Sequence, residues 1–131
     1  MAKIRILLAD DRAATHEQVR LELGEELDIV GTVANGRDAV EAVLRQRPEV
    51  LVTDISMPIL DGLQAASQLR AANSPTRIVF LTIHMDQDYV AAALSAGAYG
   101  YVTKSHMSTD LIPAIREAIE GHVFVSRSVK N

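Results

Sequence analysis

The chain has 131 residues, 48% of them hydrophobic, enough for one substantial core and too few for two comfortable domains. Its 13 Lys and Arg against 17 Asp and Glu leave a formal net charge of -4, without the basic excess of a nucleic-acid-binding domain, so direct DNA contact by this segment is not expected. Absence of cysteine excludes a disulfide framework and a thiolate metal site, and no signal-peptide pattern or membrane-length apolar run is present, so the expectation is a soluble, cytoplasmic domain.

Ile4 to Ala9 is a short, β-rich apolar run that stops at Asp10-Asp11 and reads as a buried strand opening into a polar loop. Helical spacing follows over Ala13 to Glu25, with Val19 and Leu23 on one face. Leu27 to Val33 reads as a second strand, and Gly36 to Gln46, with Ala39, Val40, Val43 and Leu44, as a second helix. Val50 to Thr53 then leads into Asp54. A third helix begins after Asp61, an N-cap with Gln64 three residues on, and continues through Leu69 to about Ala72, where Asn73, Ser74 and Pro75 end it. Ile78 to Leu81 leads into Thr82, a fourth helix fits Gln87 to Ser95, and Tyr99 to Val102 leads into Thr103 and Lys104. A fifth helix runs up to Glu120 with Gly121 as its C′ residue; Pro113 obscures its start, since a helix begun at Ser108 would lose an internal hydrogen bond there. Residues 1–123 thus read as one domain, and 124–131, polar and slightly basic toward the end, as a tail or the start of a linker.

Five strands alternating with five helices argue for a parallel sheet covered on both faces, a doubly wound α/β fold. In such sheets the functional crevice lies outside the carboxyl ends of the strands, where Asp10, Asp11, Asp54, Thr82 and Lys104 all fall. Three carboxylates at one edge would repel one another and raise their own pKa values unless a cation sat among them. An oxygen-only donor set suits a hard ion, and Mg²⁺ accepts a site of few carboxylates completed by water and phosphate oxygens. Asp10 or Asp11, or both, are assigned to that ion together with Asp54. An aspartate is also a nucleophile able to form an acyl phosphate, whose equatorial oxygens then draw on the ion and Lys104 for positive charge and on Thr82 for a hydroxyl hydrogen bond. Asp54 is the preferred acceptor because it stands alone at a strand end, whereas Asp10 and Asp11 read as a metal-holding pair.

These residues, in this order, resemble the receiver domains of two-component response regulators. The matching features are Asp10-Asp11, Asp54 in Asp-Ile-Ser-Met-Pro-Ile-Leu-Asp-Gly, Thr82 closing the fourth strand, and Lys104 closing Gly100-Tyr101-Val102-Thr103-Lys104, over residues 3–123. Leu27-Asp28-Ile29-Val30-Gly31, the run Ala96 to Tyr101, and Ala114-Ile115-Arg116 followed by Gly121 are most similar to the subfamily with a helix-turn-helix (LuxR/NarL/FixJ-type) output domain. The resemblance implies a flavodoxin-like strand order 2-1-3-4-5, an order carried over from the family. It implies phosphorylation of Asp54 by a sensor histidine kinase, with Mg²⁺ held also by the backbone carbonyl of Ser56. It further implies a switch in which Thr82 moves toward the phosphoryl group and Tyr101 turns inward. Transcriptional control through a DNA-binding domain outside this segment, with homodimerisation on phosphorylation, is the expected output. The alternative is a single-domain receiver acting on a protein partner; the linker-like end favours a truncated chain.

Each residue also has a plainer reading. An Asp-Asp pair after a strand is commonly a turn or helix cap, Lys104 a solvated lysine, Thr82 an ordinary strand residue and Tyr101 a core aromatic. Their joint placement at strand ends is what favours a site. Gly62 is expected to permit a tight approach at the start of the third helix. His16, His84, His106 and His122 lack ligand spacing and read as surface or loop histidines. Ser56 and His84, each two residues beyond a site residue, occupy positions that tune phosphoryl lifetime in the family. Ser105 stands where many receivers have proline, which leaves the isomer of the Lys104–Ser105 bond open. The rival from another class is an aspartate-nucleophile phosphohydrolase, which would want an acid two residues after its nucleophile; Ser56 occupies that place. A degenerate receiver serving only as an interaction module is disfavoured by the intact residue set.

Overall fold

In the computed structural model, which describes residues 3–25 and 27–129, strands and helices alternate as the apolar runs predict. The last two residues of the predicted tail, Lys130 and Asn131, lie outside the described residues, as do Met1, Ala2 and Glu26. The elements are β1 (Ile4–Ala9), α1 (Ala13–Leu23), β2 (Leu27–Val33), α2 (Gly36–Gln46), β3 (Val50–Thr53), α3 (Gly62–Ala71), β4 (Arg77–Thr82), α4 (Gln87–Ser95), β5 (Gly100–Thr103), a single 3₁₀ turn (Lys104–His106), α5 (Met107–Ile119) and β6 (Phe124–Val125). All strand pairs are parallel, in the order β2-β1-β3-β4-β5-β6. The expected order 2-1-3-4-5 is therefore present, with one strand added at the edge.

That added strand is the main departure from the sequence reading. The Phe124 amide donates to Tyr99 O at 2.9 Å and the Ser126 amide to Tyr101 O at 2.8 Å, so the chain after α5 is zipped onto β5. Smaller shifts have local causes. Helix α1 stops at Leu23, not Glu25, because Gly24 turns to a positive φ of 67°. Strand β5 starts one residue later than expected, at Gly100. Helix α5 begins at Met107 and runs through Pro113, tolerating the missing donor that made its start illegible. No peptide bond among the described residues is cis, so Lys104–Ser105 is trans.

Alternate residues of the central strands face opposite layers, as the two-residue period of a strand requires. Ile6, Leu8, Val52, Leu81 and Val102 meet Val19 and Leu23 of α1 and Leu111 and Ile115 of α5. Leu7, Leu51, Phe80 and Tyr101 meet Ala39 and Val43 of α2, Leu69 of α3 and Val90 of α4. Full burial of each such leucine contributes about 2 kcal/mol relative to exposure. Burial on both faces explains why these strands read as continuous apolar runs. It also holds their carboxyl ends rigidly in one row.

Two caps fix the helices beside that row. The Asn35 side chain accepts from the Asp38 amide at 2.8 Å and starts α2. At α3 the Asp61 carboxylate accepts from the Gln64 amide (2.8 Å) while the Gln64 side chain accepts from the Asp61 amide (3.0 Å), the reciprocal box expected from the sequence.

Candidate functional site

Asp10 follows β1 and Asp54 follows β3, and both continue the sheet ladder by one bond beyond the strands. The Asp10 amide donates to Val33 O and the Asp54 amide to Ala9 O, each at 3.0 Å. Both carboxylates are buried, whereas Asp11 is exposed. Lys104, directly after β5, reaches across the row: its Nζ lies 2.8 Å from Asp10 Oδ2 and 3.0 Å from Asp54 Oδ2. The remaining oxygens are held by backbone amides, Asp54 Oδ1 by Ile55 (2.7 Å) and Asp10 Oδ1 by Arg12 (2.8 Å). Burial opposes the charged form of Lys104, but its ion pairs with Asp10 and Asp54 outweigh this and raise its pKa above the ordinary lysine value.

The three carboxylates offer oxygens that all lie within 4.8 Å of one another. Asp10 Oδ2 is buried with no hydrogen-bond donor in good geometry; the Lys104 ammonium beside it supplies charge rather than a well-directed bond. An all-oxygen cluster with one such unfilled acceptor fits a hard divalent ion, and the triad is typical of the receiver Mg²⁺ site.

Thr82, the last residue of β4, is fully buried, and its Oγ1 accepts from the His84 amide at 3.2 Å, leaving its hydroxyl hydrogen uncommitted by that bond. Tyr101 is also fully buried, and its hydroxyl donates to His84 O at 2.8 Å. The inward orientation that the sequence reading reserved for the phosphorylated state is thus the one seen here. Both backbone polar groups of His84 are held, its N–H by the Thr82 side chain and its C=O by Tyr101.

Burial first, then the charges of Tyr89, Asp54 and Asp86, push the Tyr101 phenol up to about 12. A raised pKa favours the neutral phenol in the folded state. The stabilisation is complete below the ordinary tyrosine pKa and is lost as pH rises through about 12. Alkaline titration followed by tyrosinate absorbance should therefore show a late step near 12 that disappears in Tyr101→Phe. A titration in which all tyrosines ionise together at the ordinary value would refute this.

Ser56 and His84, paired in the sequence reading as positions that tune phosphoryl lifetime in the family, meet across two loops: Ser56 Oγ lies 2.9 Å from His84 Nε2. The His84 ring stacks on Tyr89 at 4.0 Å between centroids. Their equal offset of two residues from Asp54 and Thr82, on neighbouring parallel strands, was the available signal. Other histidines also have company that spacing did not reveal. His16 Nε2 lies 2.7 Å from Asp10 O, and exposed His122 lies 3.0 Å from Glu117. The sequence reading missed a further polar network. Ser126 Oγ donates to Asp110 (2.6 Å) and accepts from the Thr103 amide (3.3 Å), while Thr103 Oγ1 meets Ser128 Oγ at 2.6 Å. These bonds tie residues 126–128 to the end of the strand that leads into Lys104.

A parallel doubly wound sheet bearing a lysine-bridged acidic cluster at its carboxyl edge defines the receiver class of α/β domain. The family model for the response regulator receiver domain matches residues 6–116, and the chain belongs to that family. It is 36% identical over 125 residues to the oxygen regulatory protein NreC of Staphylococcus epidermidis, a match covering 93% of this chain and 57% of the relative. A LuxR-family two-component response regulator from Aurantimonas sp. SI85-9A1 superposes with a TM-score of 0.91 at 28% identity, covering 98% of this chain and 93% of that one. A structure of RcsB dimers bound to DNA superposes with a TM-score of 0.87 at 25% identity, covering 97% of this chain and 66% of that one. The chain thus spans a little over half the length of NreC. As a receiver domain it is a phosphoacceptor regulator, not a substrate-converting enzyme. No helix among the described residues is long and apolar enough to cross a membrane.

Proposed function

We propose that the chain is the phosphorylation switch of a two-component system and takes a phosphoryl group on Asp54 from the phosphohistidine of a sensor histidine kinase. The observation that carries this reading is the buried Asp54 carboxylate at a strand end, 3.0 Å from a lysine that it shares with Asp10. A carboxylate oxygen of Asp54 forms the new P–O bond as the donor's P–N bond breaks, and the imidazole leaves with a proton. Asp10, Asp11 and Asp54, with the backbone carbonyl of Ser56, would hold the Mg²⁺. Bound there, the ion supplies positive charge to the transferring phosphoryl oxygens. Lys104 neutralises a further oxygen, and the Thr82 hydroxyl donates to another.

The switch would run through the backbone of His84, which Thr82 and Tyr101 both hold. A Thr82 side chain drawn toward the phosphoryl group releases the His84 amide it now accepts from, while Tyr101 holds the carbonyl of the same residue. Movement of Thr82 is thereby conveyed to Tyr101, a wall of the α4 face. For the output, transcriptional control through a DNA-binding domain outside this cytoplasmic segment, with homodimerisation on phosphorylation, is favoured. The likeness to a LuxR-family regulator and to RcsB dimers bound to DNA supports it.

The test is incubation with a small acyl phosphate donor and Mg²⁺, followed by intact mass. One acid-stable, base-labile phosphoryl adduct is expected, absent in Asp54→Ala; an undiminished adduct in that variant would sink the assignment.

A further inference from the structure

Away from the acidic edge, a cavity of about 370 Å³ opens between the end of α3, the loop after it, the start of β4 and the turn between α4 and β5. That volume lies within the range of small-molecule sites, roughly 300–1,000 Å³. Leu69, Ile78 and Ala96 give it an apolar lining, Arg70 and Arg77 a cationic one, and no acidic residue lines it.

Both arginines are held by neutral groups. Arg70 Nη1 donates to Ser95 O at 2.7 Å, and the Arg77 guanidinium lies 4.3 Å from the Tyr99 ring centroid, over its face. Among the described residues neither is paired with a carboxylate. Glu49, whose backbone carbonyl accepts from the Arg77 amide, turns its carboxylate to the Arg5 amide instead (3.2 Å). Stacking on Tyr99 leaves the in-plane N–H groups of Arg77 free of that contact, and the Ser95 bond occupies one of Arg70's five donors. In a chain of formal net charge -4, two guanidiniums, each held by a neutral group and neither paired with a carboxylate among the described residues, thus line one concavity, a combination suited to an anion.

We infer that this cavity binds a phosphate-type dianion, either free or as the ester of a small molecule whose body lies on the apolar lining. Guanidinium forks match the oxygens of such a group with paired, charge-assisted N–H···O bonds. The site lies at the amino end of β4, whereas Asp54 follows the carboxyl end of β3, so the cavity shares no residue with the acidic edge.

Calorimetric titration of the whole chain, with divalent ions chelated, tests this using inorganic phosphate in one arm and phenyl phosphate in the other. Saturable one-site binding is expected, weakened about tenfold by Arg70→Gln and by Arg77→Gln, as loss of a charged hydrogen-bonding partner implies, and unchanged in Arg20→Ala on α1. Arg70→Lys keeps the charge and removes the fork, so it should also weaken binding, and it keeps the test open if loss of the Tyr99 stack unfolds Arg77→Gln. Equal affinity in the two arms identifies the anion itself as the ligand, and tighter phenyl phosphate identifies an ester. Absence of saturable binding in both arms, or wild-type affinity in folded Arg70→Gln, would overturn the inference.

Discussion

Gly62→Ala is expected to lose about 3 kcal/mol of stability and most of its capacity to accept a phosphoryl group, far more than one methyl group ordinarily costs. Gly62 opens α3 and donates its amide to Ile55 O at 2.7 Å. A Cβ there would overlap the Asp54 carbonyl oxygen and stand 3.0 Å from Asp54 C and Ile55 Cα. All three obstacles are backbone, so no flexible side chain can swing away. Either α3 retreats from β3 or Asp54 moves. Movement of Asp54 disturbs both holds on its carboxylate, the Ile55 amide at 2.7 Å and Lys104 at 3.0 Å. Urea unfolding reads the first loss, and adduct formation under conditions where the variant remains folded reads the second. Gly24→Ala is the control. Its φ of 67° and ψ of -163° lie where essentially only glycine is at ease, so alanine is strained there by roughly 1–3 kcal/mol, but nothing lies within 4 Å of the new methyl, and phosphorylation should be unchanged. A Gly62→Ala protein that accepts the phosphoryl group as well as this control would show that the backbone yields.

The elements that were legible from sequence share a physical feature: an apolar run or helical stripe that ends abruptly in a capping or turn residue. The bounds of β1, β2, α2, β3 and α4 match the expected ones, and Asp61 with Gln64 starts α3 by the predicted reciprocal cap. Strand β6 was illegible because two residues carry no period, and its pairing rests on backbone bonds that any sequence can make. The acidic row was legible for a topological reason: parallel strands bring their carboxyl ends together whatever their separation in the chain. Contacts made across loops were not. Ser56 meets His84, and Thr103 meets Ser126 and Ser128, through side-chain directions that follow only from the folded backbone. Tyr101 illustrates the boundary between the two cases. Its strand and burial could be read from pattern, but the hydroxyl bond to His84 O that holds it inward could not.

Lys104→Met removes the cation shared by Asp10 and Asp54, and the expected result is a protein destabilised by about 3 kcal/mol in metal-free buffer near neutral pH. The lysine side chain is 14% exposed and the two carboxylates 1% and 8%, so water screens the pair of contacts weakly. Methionine is long, unbranched and apolar, so the substitution tests charge more than volume. Without the ammonium, Asp10 and Asp54 repel, and Asp10 Oδ2 loses the group 2.8 Å from it while having no other donor. The pH dependence has a definite sign. Because the folded-state pKa of Lys104 is raised, its stabilisation is complete below the ordinary lysine value and disappears as pH rises through the raised one. The gap between wild type and variant should therefore be flat through neutral pH and close in the alkaline range. Mg²⁺ should close it at neutral pH as well, since a cation among the three carboxylates relieves the repulsion that the ammonium relieves in the wild type. Urea midpoints with and without Mg²⁺ measure this, and equal gains in both proteins would argue against a shared site. Phosphoryl acceptance should remain impaired in the variant even at saturating Mg²⁺, because Lys104 is then missing from the oxygen it is expected to neutralise. That difference separates its role in holding the carboxylates together from its role toward the phosphoryl group.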